Sequence, residues 1–376
     1  MKLTVISHTE HFVNDHGDIV GWGATVRELD YLTEIFDEIY HIAPLYKGSP
    51  PSGLLPYKTD KVKFIPLKPS GGINLKGKIS VLTMAFHNIR VIRRTLEKCD
   101  IFQFRAPTGM GIYIIPYLMF LRHKKGWFKY AGNWVQKSPP LGYALQRLYL
   151  RSIGQRKVTI NGVWAGQKNN QLTFENPCLT SHERIQGLNV LRNKKYNGIL
   201  NFIFVGRLED AKGVTRILNV LEDFIENPRI GTLHLVGDGK SRKKYEEQVK
   251  EKSLHKVVFH GFVDRDKINE LLTQSHFFLL PSSASEGFPK VIAEASNYGT
   301  IPIVSDVSSI GQYIIDGETG FLVESASESI LRDKIWQCLS SDESALYSIA
   351  SNCYEMAGKF TYTHYNTRIK KEILNV

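Results

Sequence analysis

Short apolar runs recur along this 376-residue chain, each closed by glycine, proline or small polar residues, and many of the stretches between them carry apolar residues at helical spacing. The first run, Lys2–Ser7, is followed by a polar loop over His8–Gly23. A helix is predicted over Ala24–Phe36, where Val26, Leu29, Leu32 and Phe36 share one face. Glu38–Ala43 and Val62–Pro66 read as strands, joined by a proline- and glycine-rich connection over Pro44–Pro56. A second loop covers Pro69–Gly77, and loops of this composition on an α/β scaffold are more often functional than structural. Ser80–Lys98 reads as a basic helix, and Ile101–Phe104 as a strand that delivers Arg105 into a loop. Ile112–Leu121 reads as a buried helix in which Pro116 marks a kink or the true start. Trp127–Tyr130 and Val158–Ile160 are further strands. Strands separated by loops or helices in this way predict a doubly wound parallel sheet.

The polar stretch Asn176–Asn197, with Pro177 and Gly187, reads as a connection between domains. A second series then begins, with strands at Leu200–Val205, Thr232–Val236, Val257–Phe259, Ile301–Val304 and Gly320–Val323. Helices are predicted at Val214–Ile225, Ser241–Lys252 and Asp266–Gln274. Within it lies HFFLLPSSASEGFPKVIAEASNYG, residues 276–299: an apolar strand, a turn through Pro281, and a helix from Pro289 that stops at Gly299.

The length suits two domains of about 180 residues each. A hydrophobic content of 42% and a charged content of 23% are those of a soluble globular protein. The N-terminus turns polar too early for a signal peptide, and the ten residues of Ile112–Leu121 are too few to span a bilayer. Cys99, Cys178, Cys338 and Cys353 are scattered, which predicts reduced thiols in the cytoplasm and no structural zinc. His8, His11 and His16 with Asp15 and Asp18 fit no standard metal spacing and read as solvated loop residues.

Charge changes the picture of the first half. Residues 1–180 hold 24 Lys and Arg against 12 Asp and Glu, and the remainder 24 against 25, so the net +11 resides in the first half. An acidic partner is one reading, with an anionic membrane surface, a phosphate-bearing acceptor or nucleic acid as the choices; a solvated basic surface is the other.

Candidate chemistry gathers in the second half. Arg207 and Lys212 stand five residues apart in the loop GRLEDAKG, between Gly206 and Gly213, where a planar fork and a mobile point charge suit a diphosphate. Such a loop can equally be structural. Gly237-Asp238-Gly239 allows close backbone approach or is an ordinary tight turn. Glu286 stands at the mouth of a strand-to-helix turn beside Gly287, and a helix starting at Pro289 can receive a phosphate. Glu294, on a largely apolar segment of that helix, can accept two hydroxyl hydrogen bonds and so matches a ribose or sugar diol.

The ordered set GRL with Lys212-Gly213, LVGDG, FHGFV, LLPSSASEGFPKVIAEA and DGETGFLV, over about residues 200–325, resembles the nucleotide-sugar glycosyltransferases of family 4. The resemblance implies the α/β GT-B fold: two Rossmann-like doubly wound domains facing across a cleft. The acceptor-side domain would cover residues 1–180 and the donor-binding domain 198–357, with a helix over 358–376 crossing back. It implies retention of anomeric configuration, no metal and no cofactor beyond the nucleotide-diphosphate sugar, of UDP or GDP type. Arg207 and Lys212 would hold the diphosphate, Glu286 would lie beside the donor sugar, and Glu294 would take the ribose hydroxyls. Gly206, Gly237, Gly287, Phe288 and Pro289 complete the donor set, and Gly261 and Phe262 face the base. Gly21 and Gly23 stand where the family often has a glycine pair against the donor phosphate, here interrupted by Trp22. Arg105, Asn133 and Trp134 are acceptor-side candidates.

The expected function is retaining transfer of a hexose to a glycan or lipid-linked acceptor in cell-surface polysaccharide synthesis. The expected place is the cytoplasm, with peripheral contact on the inner face of the cell membrane and no role for nucleic acid. The alternatives are a sugar-nucleotide epimerase of the same fold, a non-catalytic nucleotide-sugar binding protein, and a glycoside hydrolase. Arg207 and Lys212 argue against the last by favouring a phosphate-bearing ligand.

Overall fold

The computed structural model describes residues 1–72 and 75–376, so part of the loop expected over 69–77 lies outside the described residues. The chain divides into two compact units, Met1–Asn176 with Tyr365–Val376, and Pro177–His364.

The first unit holds β1 (Lys2–Ile6), β2 (His11–Val13), β3 (Ile19–Trp22), α1 (Gly23–Leu32), β4 (Glu38–Pro44), β5 (Leu54–Pro56) and β6 (Val62–Leu67). It continues with α2 (Leu75–Thr83), α3 (Ala85–Leu96), β7 (Ile101–Ala106), α4 (Gly111–Phe120), β8 (Lys125–Tyr130), α5 (Leu141–Arg151), β9 (Val158–Ile160) and β10 (Gln171–Thr173). Seven strands form a sheet in the order β10-β9-β8-β7-β1-β4-β6, parallel throughout. Its strands are continuous apolar runs because both faces are covered: Ile6, Phe104 and Phe128 pack to one cluster, Leu3, Val5, Ile101 and Trp127 to the other.

Several expectations need correction. The region read as a polar loop over His8–Gly23 contains an antiparallel hairpin, β2 with β3, joined by β5 from the next connection. His11, expected to be solvated, is fully buried, with Nδ1 against the Thr9 carbonyl at 2.8 Å and Nε2 against the Tyr57 hydroxyl at 2.8 Å. Burial pulls its pKa down to about 4. The basic helix breaks at Met84 into α2 and α3, and α5 escaped the pattern because it buries little beyond Gln146 and Leu150.

The second unit opens with α6 (Ser181–Asn193), β11 (Leu200–Val205), α7 (Val214–Glu222), β12 (Ile230–Val236), α8 (Arg242–Glu251), β13 (Val257–Gly261) and α9 (Arg265–Gln274). It goes on with β14 (Phe277–Leu280), α10 (Lys290–Asn297), β15 (Ile301–Ser305), β16 (Phe321–Val323), α11 (Glu328–Ser340) and α12 (Glu343–Ala357), and α13 (Tyr362–Arg368) begins in this unit and ends in the first. Six parallel strands lie in the order β13-β12-β11-β14-β15-β16. Winding runs outward from β11 through β12 and β13, then resumes on its other side at β14. The topological switch point therefore lies between β11 and β14, the place where an open α/β sheet binds ligands.

Residues 176–197, read as a connection, are largely α6. Thr180 and Glu183 form a complete capping box at its start, and a Cβ on Gly187 would overlap the Asn297 carbonyl, so the helix lies flush on α10. Tyr365 stands among buried residues of the first unit, and Asn366 donates to the Tyr31 carbonyl at 2.8 Å.

Lys194 ends α6 with its ammonium buried, donating to the carbonyls of Leu272 (3.1 Å) and Ser275 (2.6 Å) and to the Thr300 hydroxyl (3.2 Å). Burial pulls its pKa down to about 7, opposed weakly by Cys353. Lys194→Met should destabilise the protein by about 2 kcal/mol, because buried acceptors lose their donor. Between pH 7 and the ordinary lysine value the unfolded chain binds the extra proton, so wild-type stability rises with pH. The deficit of the Met variant should therefore widen over that window, by at most about 1.4 kcal/mol per pH unit, in urea denaturation.

Candidate functional site

The loops that leave β11 and β14 meet at the switch point, and their backbones touch. Gly213 has φ +92°, and a Cβ there would overlap the Pro281 carbonyl. Gly237, with φ +123°, would overlap Gly206 in the same way. Hydrogen bonds stitch the loops together: Ser283 N–H to the Ala211 carbonyl at 2.9 Å, Leu208 N–H to the Asp238 carbonyl at 3.0 Å, and Gly237 N–H to the Gly261 carbonyl at 2.8 Å. Asp210 fixes the middle of the first loop by accepting from Thr215, from Lys244 at 3.1 Å and from the Tyr245 hydroxyl at 2.9 Å. Those bonds, Thr215 first, hold its carboxyl down at about 2.

Lys212 and Glu286 form an ion pair across the switch point. The Lys212 side chain is 11% exposed and that of Glu286 37%, so the acid faces the open side. Glu286, Gly287 and Pro289 line one pocket with Ser282 and Ser308. Arg207 is 71% exposed and pairs with Glu209 at 3.1 Å, so the ion pair with Glu286 belongs to Lys212 and not to Arg207. Pro289 is the residue before α10, which thus starts one position later than expected, and no side chain caps that helix. Phe288 is a core residue, 5% exposed and stacked on Phe360 with ring centres 4.5 Å apart. Its side chain is thus committed to packing. Phe262, following β13, is 52% exposed.

Glu294 occupies a different electrostatic environment. One of its oxygens accepts from Arg265 at 2.5 Å, and the same guanidinium donates to Glu183 at 2.7 Å and to the Cys178 carbonyl at 2.6 Å. Burial opposes the charge of Arg265, but the carboxylates of Glu294 and Glu183 outweigh it and keep the group ionised. Burial likewise works against Glu183, and the bonds from Arg265 hold its carboxyl below the usual range. The sequence reading missed Arg265 and Glu183. The capping box at 180–183 and the Asp264 cap ahead of α9 were the signals that could have placed both on helix starts.

In the first unit the candidates have structural employment. Gly21 lies in β3, where a Cβ would overlap the His11 ring, and Gly23 begins α1 against Leu55. Arg105 donates to Glu28 at 2.6 Å and to Gln103 at 2.9 Å, and Glu28 also accepts from Lys129 at 2.6 Å. Asn133 accepts from Val135 N–H at 3.0 Å. Trp134 is 2% exposed, edge-on to Tyr130 at 5.1 Å. Arg105 is thus paired with a buried acid, and Trp134 is packed in the core.

Residues 192–353 match the family model described as glycosyl transferases group 1. An uncharacterized glycosyltransferase of Methanocaldococcus jannaschii is 30% identical over 169 residues, 44% of this chain and 46% of that one. An uncharacterized 41.2 kDa protein in the cps region of Klebsiella pneumoniae is 33% identical over 141 residues, 38% and 37% of the two chains. The chain thus spans less than half the length of these curated relatives. Over its whole length it resembles HepE of Anabaena in complex with UDP, with a TM-score of 0.71, 17% identity and 100% of each chain covered. The fold class is GT-B, built on two Rossmann-like parallel sheets.

Gly213→Ala should lower stability by at least about 2 kcal/mol, since it adds both a strained φ and a backbone overlap. Chemical denaturation measures it, and an unchanged midpoint would mean that the two loops are not in contact.

Proposed function

We propose that this protein is a retaining glycosyltransferase that moves a hexose from a nucleotide-diphosphate sugar to a hydroxyl of a glycan or lipid-linked acceptor, in cell-surface polysaccharide synthesis. The observation that carries this reading is the Lys212–Glu286 pair at the switch point of a sheet whose sequence matches the glycosyl transferases group 1 model. The donor is of UDP or GDP type, and the UDP seen with the similarly folded HepE supports the first.

Lys212 is the cation for the donor diphosphate, a point charge set where negative charge develops as the sugar–phosphate bond breaks. Arg207, free to swing from its exposed pair with Glu209, adds a second. The uncapped start of α10 offers the positive end of its dipole to the same phosphates. Diphosphate binding draws Lys212 away from Glu286, whose carboxylate then accepts from hydroxyls of the donor sugar. Glu294 accepts from the ribose. The acceptor hydroxyl attacks from the face the diphosphate leaves, and the leaving phosphate takes its proton, so the configuration is retained.

The acceptor would be reached at an anionic membrane surface. Among the described residues no helix is long and apolar enough to cross a membrane. In the first unit, however, Ile79, Leu82 and Phe86 on α2 and α3 are 51%, 65% and 80% exposed. Lys78, Arg90, Arg93 and Arg94, also exposed, flank them. Apolar side chains that can insert beside cations that meet anionic headgroups fit peripheral attachment on the cytoplasmic side.

Two measurements test these readings. Lys212→Ala and Glu286→Ala should each lower turnover at least about 100-fold with the donor identified by thermal shift against UDP-, GDP-, ADP- and CMP-sugars. Wild-type turnover by both would remove the site assignment. The protein should float with phosphatidylglycerol vesicles at low salt and not with phosphatidylcholine, and Leu82→Ser with Phe86→Ser should abolish flotation. Equal flotation by that double variant would refute the α2–α3 attachment.

A further inference from the structure

We infer that Arg265 is a positioning residue for nucleotide binding: it locks Glu294 so that one carboxylate oxygen is held by the guanidinium and the other is presented to the hydroxyls of a ribose. The inference rests on the donor-site reading of Glu294 above and adds the device that orients it.

The guanidinium is fixed in three directions at once. Nε donates to Glu183, one terminal nitrogen to Glu294 and the other to the Cys178 carbonyl, at 2.7, 2.5 and 2.6 Å. Two of those acceptors are themselves anchored. The second oxygen of Glu183 accepts the Thr180 N–H at 2.8 Å within the capping box. The chain at Cys178 is tied to the Phe360 carbonyl by the N–H groups of Cys178 and Leu179, at 2.8 and 3.1 Å. The fork is therefore held from behind by backbone, and Glu294 is the acceptor it holds in place.

Glu294 rises from the buried side of α10, between the fully buried Ala293 and Ala295, and its side chain is 16% exposed. Its Oε2 makes no hydrogen bond among the described residues, while Oε1 is taken by Arg265. A carboxylate so held has lost its rotational freedom before a ligand arrives, which lowers the entropy cost of binding. The acceptor chemistry selects the ligand. One guanidinium serves two carboxylates, Glu183 and Glu294. The carboxylate oxygen left over can only accept, so it suits hydroxyl donors and not phosphate oxygens, which are acceptors themselves. A diphosphate goes instead to Lys212, and the diol of its ribose to Glu294. Lysine at position 265 would keep the charge and lose the planar fork that reaches three acceptors.

Titration calorimetry with UDP and 2′-deoxy-UDP reads this directly, with GDP and 2′-deoxy-GDP substituted if the donor screen selects guanine. Wild type should prefer the ribonucleotide about tenfold, the value of one hydroxyl bond to a charged acceptor. Arg265→Lys should weaken UDP binding by a similar factor and bring the ribo-to-deoxy ratio near one, and should raise KM for the donor by a larger factor than it lowers kcat. Glu294→Gln should do the same, and the double variant should be no worse than Glu294→Gln alone. A ratio preserved in Arg265→Lys but lost in Glu294→Gln overturns the positioning role and leaves the donor site standing. A ratio preserved in Glu294→Gln overturns the ribose assignment itself, and the inference with it. Should Arg265→Lys fail to fold, Glu183→Gln loosens the guanidinium while keeping its charge, and the same ratio decides.

Discussion

Everything at the candidate site depends on how closely two backbones can approach at the point where the second sheet reverses its winding. The loops after β11 and β14 touch through Gly213 and Pro281, and those after β11 and β12 through Gly206 and Gly237. A Cβ at Gly213 or Gly237 would overlap the facing carbonyl, so any side chain there would push the loops apart. Lys212 and Glu286 lie on the two loops so joined, and at a larger separation they could not pair. The glycines therefore act on the chemistry without taking part in it.

The pair that results is a poor source of stability. Glu286 is 37% exposed, and ion pairs of that kind contribute at most about 1 kcal/mol. Lys212, at 11% exposure, loses hydration to be there. A cation held half-dry beside an exposed acid is thus expensive as a staple. Glu294 presents the opposite balance, because its partner Arg265 is tied down by Glu183 and by the Cys178 carbonyl and does not leave. Two glutamates eight residues apart thus differ in kind, one in an open pair and one held rigid.

The first unit shows how the same residue types serve the fold instead. Arg105 and Lys129 both end on Glu28, burying an acid between two cations. His11 and His41 both reach the Tyr57 hydroxyl, at 2.8 and 2.6 Å, and burial lowers the pKa of each, so both rings are neutral at pH 7. These buried polar groups have partners and need no ligand. On α2 and α3, by contrast, exposed apolar side chains stand among exposed basic ones.

Periodicity and punctuation placed both parallel sheets except the edge strand β10, because strands buried on both faces must be apolar throughout and the turns between them need glycine or proline. The strand-to-helix turn at 276–299 and the cationic loop at 206–213 could be read for the same reason: each is a local pattern with a local cause. What sequence left out was either long in range or short of apolar signal. Helices α6, α11 and α12 were not foreseen, and α6 was mistaken for a connection because its stretch reads as polar even though a capping box starts it. Trp134 looked available and is buried, since burial is decided by what folds over a residue and not by its neighbours in the chain. The pairing of Lys212 with Glu286, 74 positions away, and of Arg265 with Glu294, 29 away, could come only from tertiary structure. Sequence determined which charges the site would own; packing decided which of them face one another, because an ion pair acts over a few ångströms of space whatever its distance along the chain.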